Sequence, residues 1–167
     1  MDIEFLKKHY EYDPETGDIK KKTAGKRWKI GHRMGWKSAG GYMSANIFGK
    51  YTYLHIVAYA MHHGVWPTSN IDHINRIRDD NRAVNLRLAD DSQNGANQSL
   101  RIDNTSGKKG VTWSKRRGKW QAQIQFRGKR RCAWFDSVDQ AASFYDQAAS
   151  EMQSEFFLTN RMLENEK

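Results

Sequence analysis

Apolar and polar positions alternate with period two over several short stretches and repeat at three or four residues over fewer, a pattern that predicts small sheets with a few helices. Tyr10-Glu11-Tyr12 and Ile19-Lys20-Lys21-Lys22 read as strands around the turn residues Asp13-Pro14-Glu15-Thr16-Gly17-Asp18. A second hairpin is expected from Gly41 to Phe48, through Gly49-Lys50, to Tyr51-Thr52-Tyr53-Leu54. Between them, Lys26-Arg27-Trp28-Lys29 and the stretch from Arg33 to Lys37 mix bases with Trp. His55 to His63 reads as a short helix with Ile56, Tyr59, Ala60 and His63 on one face, stopped by Gly64 and the Trp66-Pro67 pair. Ile71-Asp72-His73-Ile74 is short and β-prone, Asn75 to Ala83 is a charged loop, and Val84-Asn85-Leu86-Arg87-Leu88 alternates as a half-buried strand does. Asp90-Asp91-Ser92 then offers N-caps for a helix from Gln93 to Leu100.

Beyond residue 101 the pattern predicts strands at Lys109 to Ser114, Lys119 to Phe126 and Arg130 to Phe135, with turns at Arg117-Gly118 and Arg127-Gly128-Lys129. Ser137-Val138-Asp139-Gln140 reads as a capping box opening a helix with Ala141, Tyr145, Ala148 and Met152 on one face. Strand parity places Trp120, Ala122, Ile124 and Phe126 on a buried face and leaves Gln121, Gln123, Gln125 and Arg127 pointing outward, where they can hydrogen-bond base edges. The whole is an α+β chain with a β-rich region at 1–66, a small strand-loop-strand-helix module at 67–100, a sheet-and-helix region at 101–160, and a tail at 161–167. The central module is too small for a core of its own and must lean on its neighbours or on a metal.

Composition narrows the partner. With 38% hydrophobic residues and six Trp in 167 residues, the chain can build packed cores and is not a disordered tail. The net charge of +9 favours a polyanion. Residues 101–135 carry eleven Lys/Arg against one Asp, whereas from 136 onward seven acids face two bases, so the excess is a patch. Lys115, Arg116, Arg117 and Lys119 read either as a solvated turn or as contacts to that polyanion, the second favoured because crowded like charges repel and counterion release relieves them; Arg127, Arg130 and Arg131 are further candidate contacts. One cysteine, Cys132, excludes disulfides and four-Cys zinc sites within the chain. No apolar run reaches the length of a membrane span and the first residues lack a signal-peptide core, so a soluble, cytoplasmic protein is expected.

The chemistry concentrates at Asp72 and His73. Asp72 supplies a hard oxygen ligand and the Asn94 carboxamide can supply another, leaving most positions of a Mg²⁺ octahedron for water and phosphate oxygens, as that ion prefers. His73, with an ordinary pKa near 6.5, is mostly free base at neutral pH and can take a proton from an attacking water. Adjacent strand residues point to opposite faces, so a shared site requires a bulge or a twisted strand end here. His62 and His63 read as packing or surface residues.

At these residues the chain resembles the HNH endonucleases of phages and mobile introns, of the ββα-metal type. The resemblance rests on Ile71-Asp72-His73-Ile74-Asn75, Asp80-Asn81-Arg82, Asn85-Leu86-Arg87 and Gln93-Asn94-Gly95-Ala96-Asn97, with Tyr12-Asp13-Pro14-Glu15-Thr16-Gly17, His55 and Gly64-Val65-Trp66-Pro67 upstream. It implies Asp72 and Asn94 as metal ligands, His73 as general base, Asn85 as the residue that orients the catalytic loop, and Mg²⁺ or another divalent cation such as Mn²⁺ as cofactor. Asn97, one helical turn on, can substitute for Asn94; His55 divides between a structural and a site role. Arg76 stands where relatives often have Gly. Arg82 and Arg87 divide between salt bridges that fix the motif and contacts to the scissile phosphate.

Residues 101–160 resemble the APETALA2-type DNA-binding domain, through Asn104-Thr105-Ser106-Gly107, Lys109-Gly110-Val111-Thr112-Trp113, Gly118-Lys119-Trp120-Gln121-Ala122-Gln123-Ile124, Phe135 and the Ala-rich helix through Tyr145. That likeness implies a three-stranded antiparallel sheet in the major groove of double-stranded DNA with its helix behind. Trp113 and Trp120 are expected in the core. Together the resemblances imply a homing-type endonuclease that hydrolyses a DNA phosphodiester to a 3′-hydroxyl and a 5′-phosphate, nicking one strand as a monomer. The competing readings are a DNA-binding regulator with an inactive HNH scaffold and an RNA-binding protein.

Overall fold

The computed structural model describes residues 2–25, 27–152 and 155–165; Lys26 and the last two positions of the 161–167 tail lie outside them. The chain divides into two compact units, 1–89 and 90–167, each with its own core. The class is α+β, with several small antiparallel sheets.

The first unit begins with α1 (Ile3–His9), a helix the periodicity did not predict. Asp2 caps it by accepting from the Glu4 N–H, and only Leu6 is buried, so seven residues carry too little pattern to register. β1 (Tyr10–Tyr12) and β2 (Ile19–Lys21) form the expected hairpin. Its turn is tied by Asp13, whose carboxylate accepts from the Glu15 N–H at 2.9 Å. β3 (Trp36–Lys37), β4 (Met43–Ile47) and β5 (Lys50–Tyr53) make a three-stranded sheet in that order. Ile47 pairs with Lys50, so the β4–β5 turn is Phe48-Gly49, with φ of 49° and 81°. Two left-handed residues in succession match the twist of the flanking strands.

α2 (Leu54–His63) follows β5 directly and ends at Gly64, whose φ of 72° closes the helix. Leu54, Val57, Ala58 and Met61 of α2 meet Leu6, Tyr10, Ile19, Ala45 and Ile47 in the unit's core. Ile56, expected on the buried face, is only partly covered. β6 (Asn70–His73) and β7 (Leu86–Ala89) form a two-stranded sheet that contributes Ile71 and Leu86 to the same core. The expected strand at Val84-Asn85 is instead a 3₁₀ turn over Ala83–Asn85, and Val84 is exposed.

In the second unit α3 (Asp91–Asn97) starts earlier and ends sooner than expected. Asp90 forms a reciprocal capping box with Gln93, each bond 2.8 Å, and Gln98 turns extended. β8 (Val111–Ser114), β9 (Lys119–Phe126) and β10 (Lys129–Phe135) form an antiparallel sheet in the order β10-β9-β8. The β9–β10 turn is Arg127-Gly128, both left-handed, with Lys129 already in the strand. Helix α4 (Val138–Glu151) lays Ala141 and Ala142 against Val111 and Ala122, with Trp120, Phe135, Val138 and Phe144 packed around them. Ser137 caps α4 through the Asp139 N–H, one position earlier than a capping box would use. A further helix, α5 (Asn160–Glu164), occupies part of the predicted tail, and buried Asn160 ties its start to Asp146 and Lys109.

Gly110 is where this unit has no room. Its φ is 70°, and a Cβ there would fall 2.7 Å from the Gln123 carbonyl oxygen and closer still to the ring of buried Tyr145. Gly110→Ala should therefore destabilise the unit by roughly 2–4 kcal/mol, combining left-handed strain with overpacking. Urea unfolding followed by circular dichroism measures this, and an unchanged midpoint would show that the Tyr145 ring yields freely.

Candidate active site

The β6–β7 hairpin sorts the two central residues onto different faces. Register pairs Ile71 with Leu88, Asp72 with Arg87 and His73 with Leu86, without a bulge. His73 therefore shares a face with Ile71 and Leu86, and Asp72 shares the other with Arg87. The irregularity expected at Asp72-His73 is absent, since pairing is regular through His73; the backbone departs only beyond β6, where the His73 carbonyl accepts from the Arg76 N–H at 2.9 Å and Arg76 sits at φ 65°. A left-handed backbone explains why glycine suits this position, and Arg76 holds it at a cost of about 1 kcal/mol.

Both side chains are buried, at 5% exposure each. Asp72 Oδ2 accepts from Arg87 Nε at 2.9 Å and forms an ion pair with Nη2 at the same distance. Arg82, the other base of the motif, is bound instead to Asp80, with Nε at 2.8 Å and Nη2 at 2.6 Å. That fork, aided by Asn75, holds the Asp80 carboxyl at about 2. Both arginines thus serve ion pairs within the motif, Arg87 largely shielded and Arg82 at the surface.

Asn85 closes the loop from three sides. Its backbone carbonyl accepts from the Ile74 N–H at 2.9 Å, its side-chain oxygen accepts from the Asn75 N–H at 2.9 Å, and its Nδ2 donates to the Asp80 carbonyl at 2.8 Å. The first hairpin braces the loop from outside: Tyr12 donates to the Asn81 carbonyl at 2.8 Å, and the Ala83 N–H donates to the Pro14 carbonyl at 2.9 Å. Gly17 packs so closely that a Cβ there would lie 2.7 Å from the Arg82 backbone nitrogen.

Asn81, quoted in the motif but given no role from sequence, is almost fully buried and places its Oδ1 3.3 Å from His73 Nε2. The signal that could have found it is its place among the loop's side-chain amides and carboxylates. Beside His73 stands His55, ring centroids 5.1 Å apart and nearly perpendicular, itself stacked on Tyr53 at 5.5 Å. Tyr42 approaches both histidines, at 5.2 and 5.8 Å. Burial pushes the His73 pKa down, partly opposed by Asn81, Asp72 and Asp80. Burial and the neighbouring His73 push His55 down to about 4. Both rings are thus neutral at pH 7, and among the described residues His55 Nδ1 has no hydrogen-bond partner. His62 and His63 lie exposed at the end of α2.

The remaining candidates belong to the second unit. Asn94 is half-buried and Asn97 buried on α3. On the sheet, Gln121, Gln123, Gln125 and Arg130 share the face away from α4, where Gln121 donates to Cys132 Sγ at 3.0 Å and Arg130 donates to Gln123 at 2.8 Å. Arg131 falls on the opposite parity and pairs with Glu151 of α4. Arg127 pairs with Asp90, and Lys119 with Asp136. Lys115, Arg116 and Arg117 are exposed in the β8–β9 turn, with the Arg117 guanidinium 4.6 Å from the centre of the Trp134 ring. Trp120 packs against the core as expected; Trp113 meets it edge-on at 5.1 Å but remains 42% exposed.

Among the described residues no three His, Cys, Asp or Glu side chains gather where they could hold a metal. A set built on one carboxylate and a carboxamide oxygen is hard and oxygen-only. It fits Mg²⁺ or Mn²⁺, with water and phosphate filling the other positions, and not zinc.

A buried neutral histidine thus ends β6, preceded by Asp72 and followed by a loop that Asn85 clamps. Residues 52–96 match the HNH endonuclease family, and an HNH endonuclease domain occupies that segment. The chain is also similar to Protein 3.8 of Escherichia phage T7, 36% identical over 77 residues that cover 41% of this chain and 64% of that protein. It thus spans under two thirds of that relative's length. No solved structure matches the chain.

The depressed His55 pKa makes a pH prediction. Between about 4 and the ordinary value of 6.5 the unfolded chain binds the proton that the folded chain excludes. Stability from this group is therefore complete above 6.5 and lost as pH falls toward 4, by up to about 3 kcal/mol. Thermal unfolding across that range should show a steeper acid loss for wild type than for His55→Phe; parallel curves would mean that His55 titrates normally.

Proposed function

We propose that this protein is a divalent-metal-dependent DNA endonuclease of the homing type that nicks one strand of a duplex. The observation that carries this reading is His73, buried and neutral, adjacent in sequence to Asp72 within the segment that matches the HNH endonuclease family. In this reading the neutral imidazole takes a proton from the attacking water, and Asn81 keeps the ring in orientation. Asn85 keeps the loop that carries His73 in one conformation. Mg²⁺ or Mn²⁺, held by Asp72 and Asn94, would neutralise phosphate charge and stabilise the departing oxyanion. The Asn94 role rests on sequence spacing, with Asn97 as its substitute. Arg87 balances the Asp72 charge, and the exposed bases of the β8–β9 turn supply sequence-independent affinity for the DNA backbone. The outward Gln121, Gln123, Gln125 and Arg130 would read base edges in the manner of an APETALA2-like sheet.

Incubation with supercoiled plasmid tests the chemistry. Wild type with Mg²⁺ should produce open circles and wild type with EDTA should not, while His73→Ala, Asp72→Asn and Asn94→Ala should each slow nicking by about 100-fold or more. Equal nicking by wild type and His73→Ala would end this mechanism, and salt-dependent binding without cleavage would favour a regulator. The DNA-binding role is tested by the triple variant Lys115→Ala, Arg116→Ala, Arg117→Ala. Its plot of log affinity against log salt should lose roughly one unit of slope per phosphate contact removed. An unchanged slope would take the β8–β9 turn out of the interface.

A further inference from the structure

The outward face of the β3-β4-β5 sheet is aromatic where a solvent-facing sheet is ordinarily polar. Register places Trp36, Ser44 and Tyr53 in one cross-strand row, and Asn46 opposite Tyr51 in the next, all on the same face. The opposite face carries Ala45 and Ile47 into the core. Trp36, Tyr51 and Tyr53 remain 48%, 55% and 38% exposed, while Ser44 between them is fully covered and shares a hydrogen bond of 2.8 Å with the Tyr51 hydroxyl. The rings therefore do not fill a core; they form a surface.

That surface is continuous with the candidate base. Ring centroids step from Trp36 to Tyr51 at 6.2 Å, to Tyr53 at 5.6 Å, to His55 at 5.5 Å and to His73 at 5.1 Å. Tyr42 lies alongside, 5.4 Å from Tyr53, with the Arg78 guanidinium over its ring at 5.1 Å. Charge points to the occupant: from residue 19 to residue 71 the chain has nine Lys/Arg and no Asp or Glu, and of these bases Arg33 and Lys37 are paired with Asp18 and Asp79 from outside the segment. Exposed rings on a segment with a net excess of bases suit a polyanion that carries flat apolar faces of its own. Within a paired duplex those faces are covered by neighbouring pairs, and only an unpaired or unstacked stretch exposes them.

We propose that Trp36, Tyr51 and Tyr53 form a stacking platform for unpaired bases of the DNA strand presented to His73, so that the substrate class is DNA with a gap, flap or mismatch bubble beside the scissile phosphate. This rests on the nuclease reading for its direction toward His73, but the platform is measurable without cleavage.

The test is fluorescence anisotropy of the full chain in EDTA with fluorescein-labelled DNA of one sequence, offered as single strand, gapped duplex and fully paired duplex. Wild type should bind gapped duplex and single strand more tightly than paired duplex. The pair Trp36→Ala, Tyr51→Ala should lose about tenfold affinity for the first two and under about twofold for the third. Trp36→Leu, Tyr51→Leu keeps apolar cover over Ser44 and decides the matter if the alanine pair unfolds. It should show the same selective loss, whereas Trp36→Phe, Tyr51→Phe should retain most of the preference. Equal loss on all three DNAs, no loss on any, or wild-type binding by the leucine pair overturns the proposal; the last outcome would indicate an apolar face for a protein partner. Selective binding without Mg²⁺-dependent nicking would sink the nuclease reading alone, and nicking without selectivity would sink the platform alone.

Discussion

A pair of four-residue strands cannot bury enough surface to hold itself together, and everything at the candidate site follows from how this hairpin borrows a core. Ile71 and Leu86 are the side chains it lends to the cluster built by α1, the first hairpin, β4 and α2. His73 lies on that same face, two residues from Ile71 and opposite Leu86. Its burial is therefore the consequence of the strand's attachment. Desolvation then keeps the ring neutral, which is the protonation state a general base needs. The opposite face holds Asp72, and burial of a carboxylate there is tolerable because Arg87 comes from the directly paired position with a hydrogen bond and an ion pair.

The loop between the strands is held by a similar economy of means. Asn85 supplies one acceptor and one donor to backbone groups ten and five positions away, so a single carboxamide sets both ends of the turn. Asp80 collects Arg82 and Asn75 at its carboxylate, and Tyr12 reaches the next carbonyl from a separate hairpin. The N-terminal region is thus part of the site's construction. That the HNH match begins at residue 52 leaves this bracing outside it.

Much of this was legible because the deciding signals are local. Turn chemistry located the β1–β2 and β4–β5 hairpins, and parity identified the buried Ala122, Ile124 and Phe126 against the exposed Gln125. The failures have physical causes. The α1 helix has a single buried side chain, too few to make a period. Val84-Asn85 alternates like a strand, yet Asn85 is buried for its hydrogen bonds to Asn75 and Asp80 and Val84 is left exposed, so the pattern arises from a turn. Arg131 and Arg130 look alike in sequence, but register sends one toward Glu151 on α4 and the other toward Gln123.

The aromatic sheet face shows the same limit from the other side. Tyr51-Thr52-Tyr53 reads as a good β-strand whichever face its rings occupy, and nothing local says that Ala45 and Ile47 already fill the inner one. Only register assigns the rings to the outside. An exposed ring retains a solvation cost that a polar residue would avoid, and three on one small sheet, in a segment without a single acid, multiply that cost. Their tilted and edge-on contacts with one another recover part of it, and their path inward ends at His55 and His73. The site and the surface are therefore one continuous set of rings, buried and neutral at one end and open at the other.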